Sequence, residues 1–276
     1  MLGFLPSFHL VGAEWGWLVE AEDFWLAYVD ARGESRGGPL EVMWPACFEA
    51  AGQVRAFPSY RGQRNFPGWY WTATNVQLVG YESWAELAHL MRLDADPDVV
   101  AVASQPFQLS WRHGGRDRRV RHTPDYFVRH RDGTAIVLDV RPDERIEPAD
   151  AAKFAATAAA CARVGWHYER VGVLDLVFAA NLRWLSGYRH PRVRREETAE
   201  DLREVFTQPR GLLAGAQAVG DPIAVLPVLF HLLWCREMTV DLERELLSAA
   251  TLVHPAPTVV KEVGGDAGTS AAAVAG

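Results

Sequence analysis

His122-Thr123-Pro124-Asp125, then Asp132-Gly133, then Leu138-Asp139-Val140-Arg141: the reading of this stretch decides the fold. Strand-forming residues flank the Asp-Gly pair, so residues 120–141 read as an antiparallel hairpin closed by a tight turn. One carboxylate stands at the entry of the first strand and another near the end of the second, with a cation two residues further on. Turn length decides whether the two acids meet. A two-residue loop at Asp132-Gly133 sets Asp125 opposite Val140 and points it away from Asp139. A three-residue loop, Arg131-Asp132-Gly133 with Gly133 left-handed, sets Asp125 opposite Asp139. Opposed residues share a face, and alternation puts Val137, Asp139 and Arg141 on one side of the second strand, Ile136, Leu138 and Val140 on the other. In that register two carboxylates converge beside a positive charge, an arrangement suited to a divalent cation and phosphodiester hydrolysis. Taken singly, Asp139 and Arg141 read as a solvated ion pair and Thr123-Pro124-Asp125 as a turn; the combination favours the metal site.

Outward from the hairpin, a helix is expected from Ser83, with Leu87, Leu90 and Met91 at helical spacing, ending before Asp96-Pro97. Residues 99–102 and 107–111 read as strands. A second helix runs from Pro148, a good first-turn residue, to Gly165, a good stop, and residues 171–180 read as a further strand. The order α-β-β-β-α-β describes an α/β unit of roughly 100 residues, the size of one small domain. Residues 1–60 are Trp-rich and acidic, with strand-like runs at 24–29 and 40–44, and read as a small β unit. Residues 61–79, rich in Gly and aromatics, read as a packed loop. Beyond residue 190, helices near 197–206, 211–219 and 222–236 precede short strands at 238–242 and 250–254, which suggests a winged-helix-like unit. The division is 1–60, 61–190 and 191–256, with a Gly/Ala-rich tail at 257–276 expected to be disordered.

A third carboxylate comes from Tyr81-Glu82-Ser83-Trp84-Ala85-Glu86. Ser83-x-x-Glu86 also fits a capping box, in which Glu86 serves the helix end, and Glu82, one turn earlier on the same face, competes for the ligand role. On spacing alone, capping and ligation are evenly matched. Seven Arg crowd residues 112–131; among them Arg116, Arg118, Arg119 and Arg121 read as a phosphate-contacting edge beside such a site. The net charge of −7 argues against a protein that coats DNA by bulk positive charge. Lysine occurs only at 153 and 261. Cys47, Cys161 and Cys235 are far apart and read as buried thiols of a reducing cytoplasm. No signal peptide or membrane-spanning run is recognisable, so a soluble, cytoplasmic protein is expected. There is no Gly-rich phosphate loop and no Gly-x-Ser-x-Gly elbow, which disfavours an ATPase or an α/β-hydrolase.

Several motifs in order are similar to one family. Gly80-Tyr81-Glu82-Ser83-Trp84-Ala85-Glu86, the segment 93–100, Ser104-Gln105-Pro106, His122-Thr123-Pro124-Asp125-Tyr126 and Asp139-Val140-Arg141-Pro142 resemble the TnsA-like endonuclease subunits of heteromeric transposases, and residues 57–68 resemble its actinobacterial branch. The resemblance implies a restriction-endonuclease-like core that nicks the 5′ transposon ends with Mg²⁺, Mn²⁺ being able to substitute. It also implies DNA, an RNase H-like transposase subunit and an AAA+ ATPase regulator as partners, with residues 195–255 the contact for the regulator. By position, Glu86 takes the place of the helix glutamate, Asp125 the central aspartate and Asp139 the third-strand ligand, while Val140 lends its carbonyl. Arg141 departs from the pattern, which expects lysine there. Arginine stays protonated and cannot act as a base, though it can steady charge on the phosphorane. Lys153, on the first turn of the following helix, is the alternative amine. A nuclease-fold adaptor without cleavage and a free-standing restriction or junction-resolving nuclease are the rival readings.

Overall fold

The computed structural model describes residues 21–57, 61–62, 66–113 and 119–255. Its central sheet is built on the hairpin β8 (Tyr126–His130) and β9 (Ala135–Val140), which pair with Tyr126 opposite Leu138 and Val128 opposite Ile136. His130 N–H donates to Thr134 O at 2.9 Å and Gly133 N–H to His130 O at 3.0 Å, closing the three-residue loop 131–133. Gly133 has φ +91°, a conformation that favours glycine, and Asp132 Oδ1 accepts the Thr134 N–H. β5 (Val99–Ser104) adds antiparallel to β8, and β10 (His167–Val171) adds parallel to β9, giving the order β10-β9-β8-β5. The parallel step needs a crossover. It is supplied by α3 (Pro148–Arg163), which opens on proline and stops before Gly165 at φ +73°.

Alternation gives this sheet two covered faces. On one, Tyr126, Val128 and Leu138 pack against α2 (Trp84–Asp94), whose Leu87, Leu90 and Met91 are buried. On the other, Phe127, Ala135 and Val137 meet Ala156, Ala160 and Cys161 of α3 and an aromatic cluster of Phe48, Phe107 and Trp166.

The strand expected at 107–111 is β6 (Gln108–His113), but it leaves the central sheet. It pairs with β1 (Ala21–Val29) and with β7 (Val120–His122), and β2 (Ser35–Pro39) completes the order β2-β1-β6-β7. The pairing of β1 with β6 therefore crosses residue 60. Residues 40–44 were expected as strand; the structure has the helical turn α1 (Leu40–Met43), entered through Pro39 and anchored by buried Leu40. The segment 61–79, expected as loop, contains much of a hairpin, β3 (Gly68–Thr72) with β4 (Gln77–Tyr81). The strand expected at 171–180 lies earlier, as β10, and shares only Val171 with that span. Asp175 then caps α4 (Leu176–Ser186) by accepting the Val177 and Phe178 amides, and Leu182 and Leu185 are buried. A short apolar run has no period that separates strand from buried helix.

The C-terminal region comprises α5 (Glu196–Val205), β11 (Arg210–Gly211), α6 (Leu212–Val219), α7 (Pro222–Trp234), β12 (Met238–Thr239) and β13 (Leu252–Pro255), with strand order β11-β13-β12. α7 buries Val225, Val228, Leu229, Leu232 and Leu233 in the core shared with α2, and Arg236 donates to Ala95 O at 3.1 Å. Among the described residues no helix is long and apolar enough to cross a membrane. The thiols were expected to be buried; only Cys161 is, while Cys47 and Cys235 are exposed.

Candidate metal centre

Pro124 has no N–H to give a ladder, so β8 begins only after it. Asp125 stands at that step. One pair beyond Tyr126–Leu138, the register sets it opposite Asp139. Where the strand has ended, its side chain takes over the ladder: Oδ2 accepts the Val140 N–H at 2.7 Å. Its main-chain carbonyl accepts the Gln105 N–H at 2.9 Å. Burial pushes the Asp125 carboxyl well above the usual carboxylate range, and the charges of Glu86 and then Asp139 push it further; the Val140 amide opposes them.

Asp139 is 3% exposed. Its Oδ2 takes two hydrogen bonds, from His122 Nε2 at 2.8 Å and from the Tyr168 hydroxyl at 2.7 Å. Burial and the charge of Asp139 push the Tyr168 phenol far up, so it stays protonated and donates. The His122 ring stands edge-on to Phe154 of α3, with centroids 6.0 Å apart.

Glu86 occupies the third position of α2, and its geometry shows the cap that spacing had left matched against metal ligation. Ser83 Oγ accepts the Glu86 N–H at 3.2 Å, as a cap should. The Glu86 carboxylate turns back to accept from the Glu82 amide at 2.7 Å and the Ser83 hydroxyl at 2.8 Å. Burial raises its carboxyl, and those two donors oppose the rise. It is also the acid that Asp125 feels most strongly. Glu82 is held by a two-pronged pair with Arg55, at 2.9 and 2.7 Å, and acts on Asp125 more weakly.

Arg141 lies on the Asp139 side of β9 but does not bond Asp139. Its guanidinium donates to Asp150 Oδ2 at 2.9 Å, and Lys153 Nζ reaches Asp150 Oδ1 at 3.4 Å. The first turn of α3 thus gathers both candidate cations on one carboxylate. Partial burial lifts the Asp150 carboxyl, but the Arg141 charge and the Lys153 bond outweigh it and hold the group low. Of the four arginines read as a phosphate edge, Arg116 and Arg118 lie outside the described residues. Arg119 is committed to the protein: it donates to Ser110 Oγ and O at 3.1 and 2.9 Å and to Asp23 O. Arg121 is exposed.

Among the described residues no three His, Cys, Asp or Glu side chains gather at metal-holding spacing. What does converge is the pair Asp125 and Asp139. The hydrogen bonds described fall on Oδ2 of each carboxylate. The Val140 carbonyl points to the same edge as its amide, as strand geometry requires. This donor set fits Mg²⁺, which is usually held by one or two carboxylates and completes its shell with water and substrate phosphate. It does not form a closed protein cage, and both Glu86 oxygens already accept bonds at the helix cap. His122, Tyr168 and Asp150 were not chosen from sequence. His122 had a signal, its place three residues before Asp125 on the same segment; Tyr168 and Asp150 had none, because their relation to the site depends on the βαβ crossover.

The fold and site thus define a mixed α/β protein with a pair of carboxylates at the end of a central sheet, between a capped helix and a crossover helix. Residues 96–171, from just before β5 to the end of β10, match the family model described as TnsA-like endonuclease N terminal. Over that stretch the chain is similar to that family. No curated protein matches the chain.

Proposed function

We propose that this chain is a metal-dependent DNA endonuclease subunit of a heteromeric transposase, hydrolysing the 5′ strand at transposon ends. The observation that carries the reading is the hairpin register, which sets Asp125 opposite Asp139 with the Asp125 carboxylate on the Val140 amide. The sequence α2, β5, β8, β9, α3, β10 supports a restriction-endonuclease-like core, and the family match over residues 96–171 supports the activity class. Mg²⁺, or Mn²⁺ in its place, would supply Lewis-acid chemistry for water activation and for charge on the leaving 3′ oxygen. Asp125 and Asp139 would hold it, with the Val140 carbonyl beside them and Glu86 once turned from its cap. Arg141 steadies charge on the phosphorane and takes no proton. Lys153, on the same carboxylate as Arg141, is placed to swing its amine towards the phosphate. Arg121 would contact the DNA backbone.

The order α5-β11-α6-α7-β12-β13, with sheet order β11-β13-β12, supports a winged-helix unit from about residue 191 to 256. Burial of α7 in the shared core withdraws it from groove reading and favours protein contact, so residues 195–255 would meet the RNase H-like transposase or the AAA+ ATPase regulator. The experiment is to reconstitute the chain with its transposase on end-containing DNA and measure 5′-strand nicking with Mg²⁺. Nicking by wild type and none by Asp125→Ala is expected. Indistinguishable wild type and Asp125→Ala, with assembly still dependent on the chain, would establish an adaptor instead; full nicking without partners would establish a free-standing nuclease.

A further inference from the structure

We propose that His122 and Tyr168 are positioning residues of the metal centre: together they pin Oδ2 of Asp139, so that Oδ1 alone is presented to the ion. The inference rests on the metal-site reading above and assigns a function to two side chains outside the ligand set.

Three elements that are remote in the chain meet at a single atom. His122 ends β7 of one sheet, Asp139 lies on β9 of the other, and Tyr168 lies on β10, which reaches β9 only through the α3 crossover. Their donors lie 2.8 and 2.7 Å from the same oxygen. A carboxylate is acceptor-only, so the contacting His122 nitrogen carries its hydrogen towards Asp139. Two bonds on one oxygen remove the rotation that would otherwise exchange Oδ1 and Oδ2. Phe154 against the His122 ring limits the movement of that donor in turn.

The chemistry of the two donors matters as much as their geometry. A buried carboxylate is ordinarily stabilised by Arg or Lys, and two such cations are at hand two residues and one crossover away. Both are bound to Asp150 instead. A phenol orients Asp139 without a formal charge, whereas a guanidinium would compete directly with a divalent ion. Hydrogen-bonded partners of metal ligands commonly contribute about 10–100-fold in metal affinity, and that is the effect expected here.

The test uses the full chain and Mn²⁺ alone, with binding followed by loss of the free-ion paramagnetic resonance signal and by calorimetry. Tyr168→Phe keeps the ring and removes one donor; His122→Ala removes the other; His122→Gln offers an amide donor in its place. Weaker Mn²⁺ binding by about 10–100-fold in Tyr168→Phe and His122→Ala, with partial recovery in His122→Gln, is expected. In nicking assays the same variants should need more Mn²⁺ while retaining most of their rate at saturation. Wild-type Mn²⁺ affinity in folded Tyr168→Phe and His122→Ala, with binding lost in Asp139→Ala, would overturn the positioning role and leave the metal centre standing. Equal Mn²⁺ binding by wild type, Asp125→Ala and Asp139→Ala would overturn both. Should His122→Ala fail to fold, Tyr168→Phe decides the matter: wild-type Mn²⁺ affinity in that variant overturns the positioning role.

Discussion

Two clusters of carboxylates in this molecule are treated in opposite ways. In the C-terminal region Glu196 and Glu237 are met by Arg194 and Arg203: Arg194 Nε lies 2.7 Å from Glu196, Arg203 3.2 Å from Glu196 and 2.6 Å from Glu237, and Arg194 also bonds Glu237. Burial raises the Glu237 carboxyl, but the bonds from Arg194 and Arg203 outweigh it and hold the group below its ordinary range. At the end of the central sheet, Glu86 and Asp125 are held above theirs, by burial first and then, for Asp125, by Glu86 and Asp139. Their hydrogen-bond partners are the amides of Glu82 and Val140 and the Ser83 hydroxyl, which orient a carboxylate without cancelling its charge. An acid cluster with a structural role is neutralised by the chain's own cations. One left with excess negative charge, while Arg141 and Lys153 are bound next door, suits a cation that arrives from outside.

The largest expected difference between the clusters is in catalysis. Asp125→Ala and Asp139→Ala should each bring 5′-strand nicking to background and abolish Mn²⁺ binding, while Glu237→Gln should leave Mn²⁺ binding by the chain alone unchanged. Gel assays on reconstituted complexes and calorimetry on the chain measure these, and a Glu237→Gln variant that binds Mn²⁺ as poorly as Asp125→Ala would erase the distinction. Next comes Arg141. Arg141→Ala should lower nicking by about 10²–10³-fold, the usual cost of one transition-state contact. Arg141→Lys should retain or raise activity. A Lys153→Ala loss larger than that of Arg141→Ala would move the catalytic cation to α3.

The pairing of Asp125 with Asp139 was legible because turn chemistry is local: Asp132-Gly133 admits two registers, and the structure has the one with Gly133 left-handed. The helices at Ser83 and Pro148 were legible for the same reason, each carrying its own start signal. The departure of β6 to a second sheet was not, since a strand carries no mark of its partners. Residues 171–180 failed on a single side chain, Asp175, whose cap turns an apolar run into helix. At the site, the pair of opposed carboxylates could be read from one hairpin, whereas Tyr168 and Asp150 required knowledge of how α3 returns β10 beside β9. Glu86 illustrates a different limit: spacing offered capping or metal ligation, and the structure shows the cap, with the carboxylate close enough to Asp125 for its charge to be felt there.

A smaller contrast appears in stability against pH, measured without metal. A raised folded-state carboxyl means that the native state holds protons the unfolded chain has released. Asp125 and Glu86 therefore favour folding below the unfolded carboxylate range, near pH 4, and this contribution is lost as pH rises through their folded values. Asp125→Asn, which keeps an acceptor for the Val140 amide, should melt higher than wild type at neutral pH, with the gap closing on acidification. A gap that widens in acid would reverse the sign assigned to the site. Mn²⁺ should raise the melting temperature of wild type and not of Asp125→Asn.

The smallest effect belongs to the neutralised cluster, and its sign is the opposite. Glu237 is held low, so its contribution to folding is present above the unfolded carboxylate range and fades as pH falls through the folded value. Its side chain is about one-third exposed, which screens the pairs with Arg194 and Arg203. Glu237→Gln should therefore cost only about 0.5–1 kcal/mol at neutral pH, the range of partly exposed networks. Denaturant midpoints in low and high salt measure it: the loss should shrink with salt and with acid, while the Asp125→Asn gain shrinks with acid. A salt-insensitive loss of several kcal/mol would mean that Arg194 and Glu237 act as a buried pair joining α5 to the end of α7, and the two clusters would then differ in sign but not in weight.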